Sequence, residues 1–141
     1  MNFASGPSRG PASSPNQLVA AMNAYIVEDN ALIRQNLMET MTELLGIHTV
    51  GYSSTETEAC TWLHQHPKAW ELLVLDMFLL EGSGLGVLQK CSKRDLQQRV
   101  VVLSNYATSD MRKRCLESGA DAVFDKSTEL DQFFDYCGKA A

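Results

Sequence analysis

The sequence predicts an α/β fold: a five-stranded parallel sheet built as (βα)5 and doubly wound, with helices on both faces. Three observations predict it. Short apolar runs alternate with amphipathic stretches from Leu18 onward. Two of the runs, LLVL at 72–75 and VVVL at 100–103, are apolar at every position, as strands covered on both faces should be. The intervening stretches place apolar residues three and four apart, the spacing of one helix face. Right-handed crossovers then put helices on both sides of a parallel sheet.

The elements follow in order. Strands are expected at 24–27 (AYIV), 48–52 (HTVGY), 72–76 (LLVLD), 99–103 (RVVVL) and 122–125 (AVFD). The first helix should bury Ile33, Leu37, Met41 and Leu44. The second should bury Ala59, Trp62, Leu63 and His66, the third Leu85, Leu88 and Cys91, the fourth Met111 and Cys115. The last carries Leu130, Phe133, Phe134 and Cys137 at i, i+3, i+4, i+7. Gly46 and Gly119 stand where helices should stop.

With 141 residues, 45% of them hydrophobic, the chain has the size of one domain with a sizeable core. Residues 1–20 begin with a run rich in Ser, Pro and Gly and read as a flexible tail; the domain is expected over 21–141. Net charge is −5 and no basic run occurs, which argues against nucleic-acid and anionic-membrane surfaces. No signal-peptide core or membrane-length apolar run is present, so a cytoplasmic location is expected. Cys60, Cys91, Cys115 and Cys137 match no zinc spacing and read as small apolar packing residues, each in a helix.

Chemistry gathers where strands end. In such sheets the ligand site lies at the carboxyl ends of the strands, at a topological switch point. Glu28 and Asp29 follow strand one, Asp76 ends strand three, Ser104 ends strand four and Lys126 ends strand five. Three carboxylates together call for a cation. A small set of hard oxygens suits Mg²⁺, which keeps waters and accepts phosphate oxygens. Asp76, on the most central strand, is the candidate nucleophile for an acyl phosphate. Lys126 would neutralise phosphoryl oxygens and Ser104 would hydrogen-bond one.

These residues, within VEDN (27–30), LLVLDMFLLEGSGLGVL (72–88), VVVLSNY (100–106) and GADAVFDKS (119–127), resemble the receiver domains of two-component response regulators. The likeness runs from Asn23 to Cys137. It implies a flavodoxin-like strand order of 2-1-3-4-5. It implies a phosphoacceptor at Asp76, a switch hydroxyl at Ser104 and the family's lysine at Lys126. It also implies a Mg²⁺ site formed by Glu28, Asp29, Asp76 and the backbone carbonyl of Phe78. The partners implied are a sensor histidine kinase or a histidine phosphotransfer protein, with output through a downstream protein and without nucleic acid or membrane. A receiver acting alone, rather than one fused to an effector, is the expectation.

Four positions depart from the family pattern. Leu80 stands where proline is common, although Gly84 fits the expected glycine. Ser127 follows the lysine in place of proline, where a cis bond would cost about 2.5–4 kcal/mol. Val123 occupies the place of the aromatic switch residue, and Phe124, one position on, faces the other side of the strand. Ser104 replaces the commoner threonine and keeps the hydroxyl.

Two other chemistries ask for different residues. An aspartate-nucleophile phosphatase or phosphotransferase of the haloacid-dehalogenase type commonly has a second acid two residues after the nucleophile, where this chain has Phe78. A flavin site needs a loop that cradles phosphate, and the acids of EDNA would repel it. The resemblance implies that Phe78 and Tyr106, two residues past the aspartate and the serine, flank the path of a hydrolytic water; neither offers a carboxylate or amide to orient it.

Overall fold

The computed structural model describes residues 22–140. The polar stretch at 1–20, expected as a tail, lies outside them. Five parallel strands form one sheet in the order β2-β1-β3-β4-β5: β1 (Asn23–Val27), β2 (His48–Ser53), β3 (Leu72–Leu75), β4 (Arg99–Ser104) and β5 (Ala122–Asp125). The helices are α1 (Ala31–Leu45), α2 (Glu56–Gln65), α3 (Gly84–Lys90), α4 (Ser109–Glu117) and α5 (Leu130–Ala140). Among the described residues no helix is long and apolar enough to cross a membrane.

The two-residue period of the strands divides the core in two. Tyr25, Val27, Leu73, Leu75, Val100, Val102 and Val123 face α2, α3 and α4. Ala24, Ile26, Leu72, Val74, Val101 and Leu103 face α1 and α5. All four residues of β3 are buried, which places Asp76 at the end of the most enclosed strand. Phe124 turns to the α1–α5 side, edge-on to Phe133 at 6.1 Å, while Val123 packs on the α4 side.

Side-chain caps start the helices. Asn30, Thr55, Ser83 and Thr108 each accept from a backbone N–H three residues on, satisfying donors that the first turn leaves free. Gly46 ends α1 in the left-handed region at φ 66°, which a side chain would disfavour.

The helix registers need three corrections. Leu44, expected in the core, is 70% exposed. The inward row of α1 instead steps through the buried Leu37 and Met41 to the partly buried Leu45, because α5 lies alongside and Leu45 packs toward Gly138. His66 is exposed at the C-cap of α2, where its ring stacks on Trp62 at 4.7 Å rather than entering the core. Cys91 caps α3 instead of lying within it. Cys91, Cys115 and Cys137 are buried and unpaired, as packing residues should be, and Cys60 is half-buried. Burial pushes the Cys91 thiol up to about 11 and the Cys137 thiol to about 12.

Phe133 anchors α5 to the sheet with no exposed surface. Phe133→Ala should therefore cost about 3–5 kcal/mol through lost burial and a cavity. A urea denaturation midpoint shifted by less than 1 kcal/mol equivalent, at unchanged slope, would contradict this packing.

Candidate functional site

Backbone pairing continues past the strand ends and fixes the site. Glu28 N–H donates to Ser53 O at 3.0 Å, Asp76 N–H to Val27 O at 3.0 Å, and Lys126 N–H to Ser104 O at 3.0 Å. The same ladder that builds the sheet therefore ties the end of β3 to that of β1, and the end of β5 to that of β4. Because β1 and β3 are neighbours, their terminal acids must meet. Ligand oxygens of Glu28, Asp29 and Asp76 lie within 4.8 Å of one another. Glu28 and Asp76 are buried, and Asp29 is half-buried.

The Lys126 ammonium bridges two of these acids. It donates to Asp76 Oδ2 at 2.9 Å and to Glu28 Oε1. Its stem is buried with it, since only 7% of the side chain is exposed. Asn30 N–H donates to the other Glu28 oxygen at 3.1 Å, and Arg34 Nη1 holds the Glu28 carbonyl at 2.8 Å. Phe78 N–H donates to Asp76 Oδ1 at 3.1 Å, so both oxygens of Asp76 are aimed.

Burial pushes the Glu28 carboxyl above its ordinary range; the bonds from Lys126 and Asn30 pull it back only in part, and the Asp76 charge adds to the rise. For Lys126, burial acts to lower the pKa, but the bonds and charges of Glu28 and Asp76 outweigh it and the net shift is upward. The folded state thus favours the ammonium. That contribution to stability is complete below the ordinary lysine pKa and is lost only as pH rises through the higher folded value.

The loop after Asp76 folds back on it. Phe78 and Ser83 pair across the loop, Gly84 N–H donates to Met77 O at 3.0 Å, and Gly84 lies against the Asp76 carbonyl. A Cβ at Gly84 would stand 2.9 Å from the Asp76 carbonyl carbon. Only glycine fits there without displacing the aspartate.

A recess of about 270 Å³ opens over the acids. Glu28, Asp29, Asp76 and Lys126 line it together with Asn105 and Tyr106. Phe78 and Tyr106 meet edge to face at its mouth, their ring centroids 6.3 Å apart, and both remain more than half exposed. Ser104 does not line the recess. It is fully buried, and its hydroxyl has no hydrogen-bond partner. Among the sequence candidates, Glu28, Asp29, Asp76 and Lys126 come together with the Phe78 backbone, while the Ser104 side chain stands behind them. Asn105, Asn30 and Arg34 also belong to the site. Of these, only Asn105 carries a sequence signal, its place next to the serine at the strand end.

The donor set fits Mg²⁺ rather than a soft metal. Three carboxylates converge, two of them buried, and no thiol or imidazole is among them.

Comparison with known proteins agrees with this geometry. The sequence model of the family described as "Response regulator receiver domain" matches residues 24–137. Response regulator UvrY of Escherichia coli (strain K12) is 21% identical over 105 residues, 74% of this chain and 47% of that protein. The virulence transcriptional regulatory protein PhoP of Salmonella choleraesuis (strain SC-B67) is 26% identical over 111 residues, 79% of this chain and 48% of that protein. The chain spans about half the length of these curated relatives. Among solved structures, a LuxR-family DNA-binding response regulator from Staphylococcus aureus superposes with a TM-score of 0.74 at 16% identity, covering 84% of this chain and 98% of that one. The CheX-CheY-BeF3-Mg complex from Borrelia burgdorferi gives 0.70 at 21% identity, over 82% and 89% of the two chains. At these identities the structures speak for the fold alone, and the strand order 2-1-3-4-5 is the expected one. No finding supports a haloacid-dehalogenase-type phosphatase. With that strand order and a family match covering nearly all the described residues, the chain belongs to the receiver domains of response regulators.

Proposed function

We propose that Asp76 is the phosphoacceptor, taking a phosphoryl group from a phosphohistidine of a sensor histidine kinase or histidine phosphotransfer protein. The observation that carries this reading is the single buried lysine held between Asp76 and Glu28 at the end of the central strand. A carboxylate oxygen of Asp76 attacks phosphorus, the P–O bond forms as the P–N bond breaks, and the imidazole leaves with the bond pair. Phe78 N–H orients the attacking carboxylate through Oδ1. Lys126 is released from Asp76 Oδ2 to a phosphoryl oxygen as the group arrives.

Glu28, Asp29 and Asp76, with the Phe78 carbonyl, would hold Mg²⁺. Once bound, the ion neutralises charge on the phosphoryl oxygens during transfer. The domain acts as a phosphoacceptor rather than a turnover enzyme, and a cytoplasmic setting fits its four unpaired cysteines. Ser104 supplies the switch. Its buried hydroxyl, without a partner, leaves a cost of about 1–3 kcal/mol that a bond to a phosphoryl oxygen would relieve. Phosphorylation would then favour a state in which the β4–α4 loop has moved inward, presented to a downstream protein.

Two measurements test this reading. After acetyl phosphate and Mg²⁺, intact-mass analysis should find one phosphoryl group on the wild type and none on Asp76→Asn; full labelling of that variant would sink the assignment. The second concerns lifetime. Hydrolysis needs a water in line with the departing carboxylate oxygen, and Phe78 and Tyr106 crowd that approach without orienting a water. The aspartyl phosphate should therefore persist, as a sustained signal or onward transfer requires. Phe78→Asn/Tyr106→Glu should shorten its half-life at saturating Mg²⁺, and an unchanged half-life would refute the shielding role.

A further inference from the structure

We propose that Arg112 of α4 links the loop carrying Ser104 to the loop carrying Lys126, serving as a positioning residue in a chain whose family-pattern aromatic is replaced by Val123. The inference rests on Asp76 being the phosphoacceptor and Ser104 the switch.

The geometry is a three-way fork. Arg112 Nε donates to Ala107 O at 2.8 Å, Nη1 to Val123 O at 3.3 Å and Nη2 to Glu129 Oε1 at 2.7 Å. Ala107 lies three residues past Ser104, Val123 lies on β5, and Glu129 lies three residues past Lys126. The same Glu129 oxygen also accepts the Asp125 N–H at 2.9 Å, and the Glu129 carbonyl accepts the Phe133 N–H in the first turn of α5. One guanidinium therefore joins α4, the β4–α4 loop, β5 and the start of α5.

The Lys126 N–H bond to Ser104 O already joins the two strand ends; farther along the β4–α4 loop a side-chain linkage falls to Arg112, because Val123 has no polar side chain and Phe124 is committed to the opposite face against Phe133. When Ser104 moves toward a phosphoryl group, the Ala107 carbonyl moves with its loop. The fork must then travel with it, carrying α4 and Glu129, or lose a bond. Lysine cannot imitate this, because a single ammonium does not offer the planar fork that spans three acceptors. The ion pair itself is about one-third exposed on each side, so it adds little to stability. Its role is therefore separable from folding.

The test uses the full chain labelled with ¹⁵N, with beryllofluoride and Mg²⁺ standing in for the phosphoryl group. Amides of Met77 and Phe78 report on the site; those of Lys113, Thr128, Glu129 and Leu130 report at a distance. In the wild type both sets should shift. In Arg112→Lys and Glu129→Gln the site shifts should persist while the distant shifts fall to about half or less, with melting temperatures close to wild type. Distant shifts equal to wild type in both variants would overturn the proposal, as would a large loss of melting temperature with distant shifts preserved. If Arg112→Lys fails to fold, Glu129→Gln decides alone. If the wild type shows no site shifts, the Asp76 assignment itself has failed, an outcome separate from a site that responds without its distant partners.

Discussion

Three carboxylates held together by neighbouring strands form the constraint on which the rest of this site depends. β1 and β3 are paired residue for residue up to Val27 and Leu75. The acids that follow cannot separate without breaking the ladder. Two unit charges 4–5 Å apart repel by roughly 3–4 kcal/mol at an effective dielectric of 20. Lys126 offsets part of this by bridging Glu28 and Asp76, yet one ammonium faces three carboxylates. The excess negative charge is a standing demand for a cation. The upward push on Glu28, led by its burial and increased by Asp76, expresses that demand in a single group.

Much of the surrounding structure keeps these acids in place. The N-cap Asn30 holds the Glu28 carboxylate through its N–H, and Arg34, from the first turn of α1, holds the Glu28 carbonyl. Gly84 lets the β3–α3 loop close directly over the Asp76 carbonyl. Ser83 then caps α3, and its own N–H is held by Glu56 at 2.9 Å, which ties this loop to the start of α2. The acidic side of the site is thus rigid. The hydroxyl side is not closed in the same way, because the Ser104 hydroxyl has no bond to lose. A firmly held carboxylate beside an unsatisfied hydroxyl suits the two-state switch proposed above.

The fold was legible because its signals are local and periodic. An unbroken apolar LLVL, helix-spaced repeats and stop residues such as Gly46 do not depend on distant residues. The acids were legible because strand ends in a doubly wound sheet have a known location. What was not legible depended on partners remote in sequence. Leu44 and Leu45 are equally apolar, and only the position of α5 selects Leu45. His66 fits a helical repeat by spacing, but the helix ends there and Trp62 offers its ring instead. The bridge from Lys126 to Glu28 spans 98 residues and the Arg112 fork reaches three separate segments, so no window of sequence contains either.

The central claim is that the acid cluster is a cation site whose charge is only partly balanced by Lys126. The most direct measurement is the melting temperature in MgCl2 against NaCl of equal ionic strength, for the wild type and for Asp29→Asn. A ligand that binds only the folded state raises stability by mass action. Wild type should therefore melt higher in Mg²⁺ than in matched NaCl. Asp29→Asn, with one repelling charge removed, should melt higher than wild type in NaCl and gain less from Mg²⁺. Identical melting of the wild type in the two salts would contradict the claim.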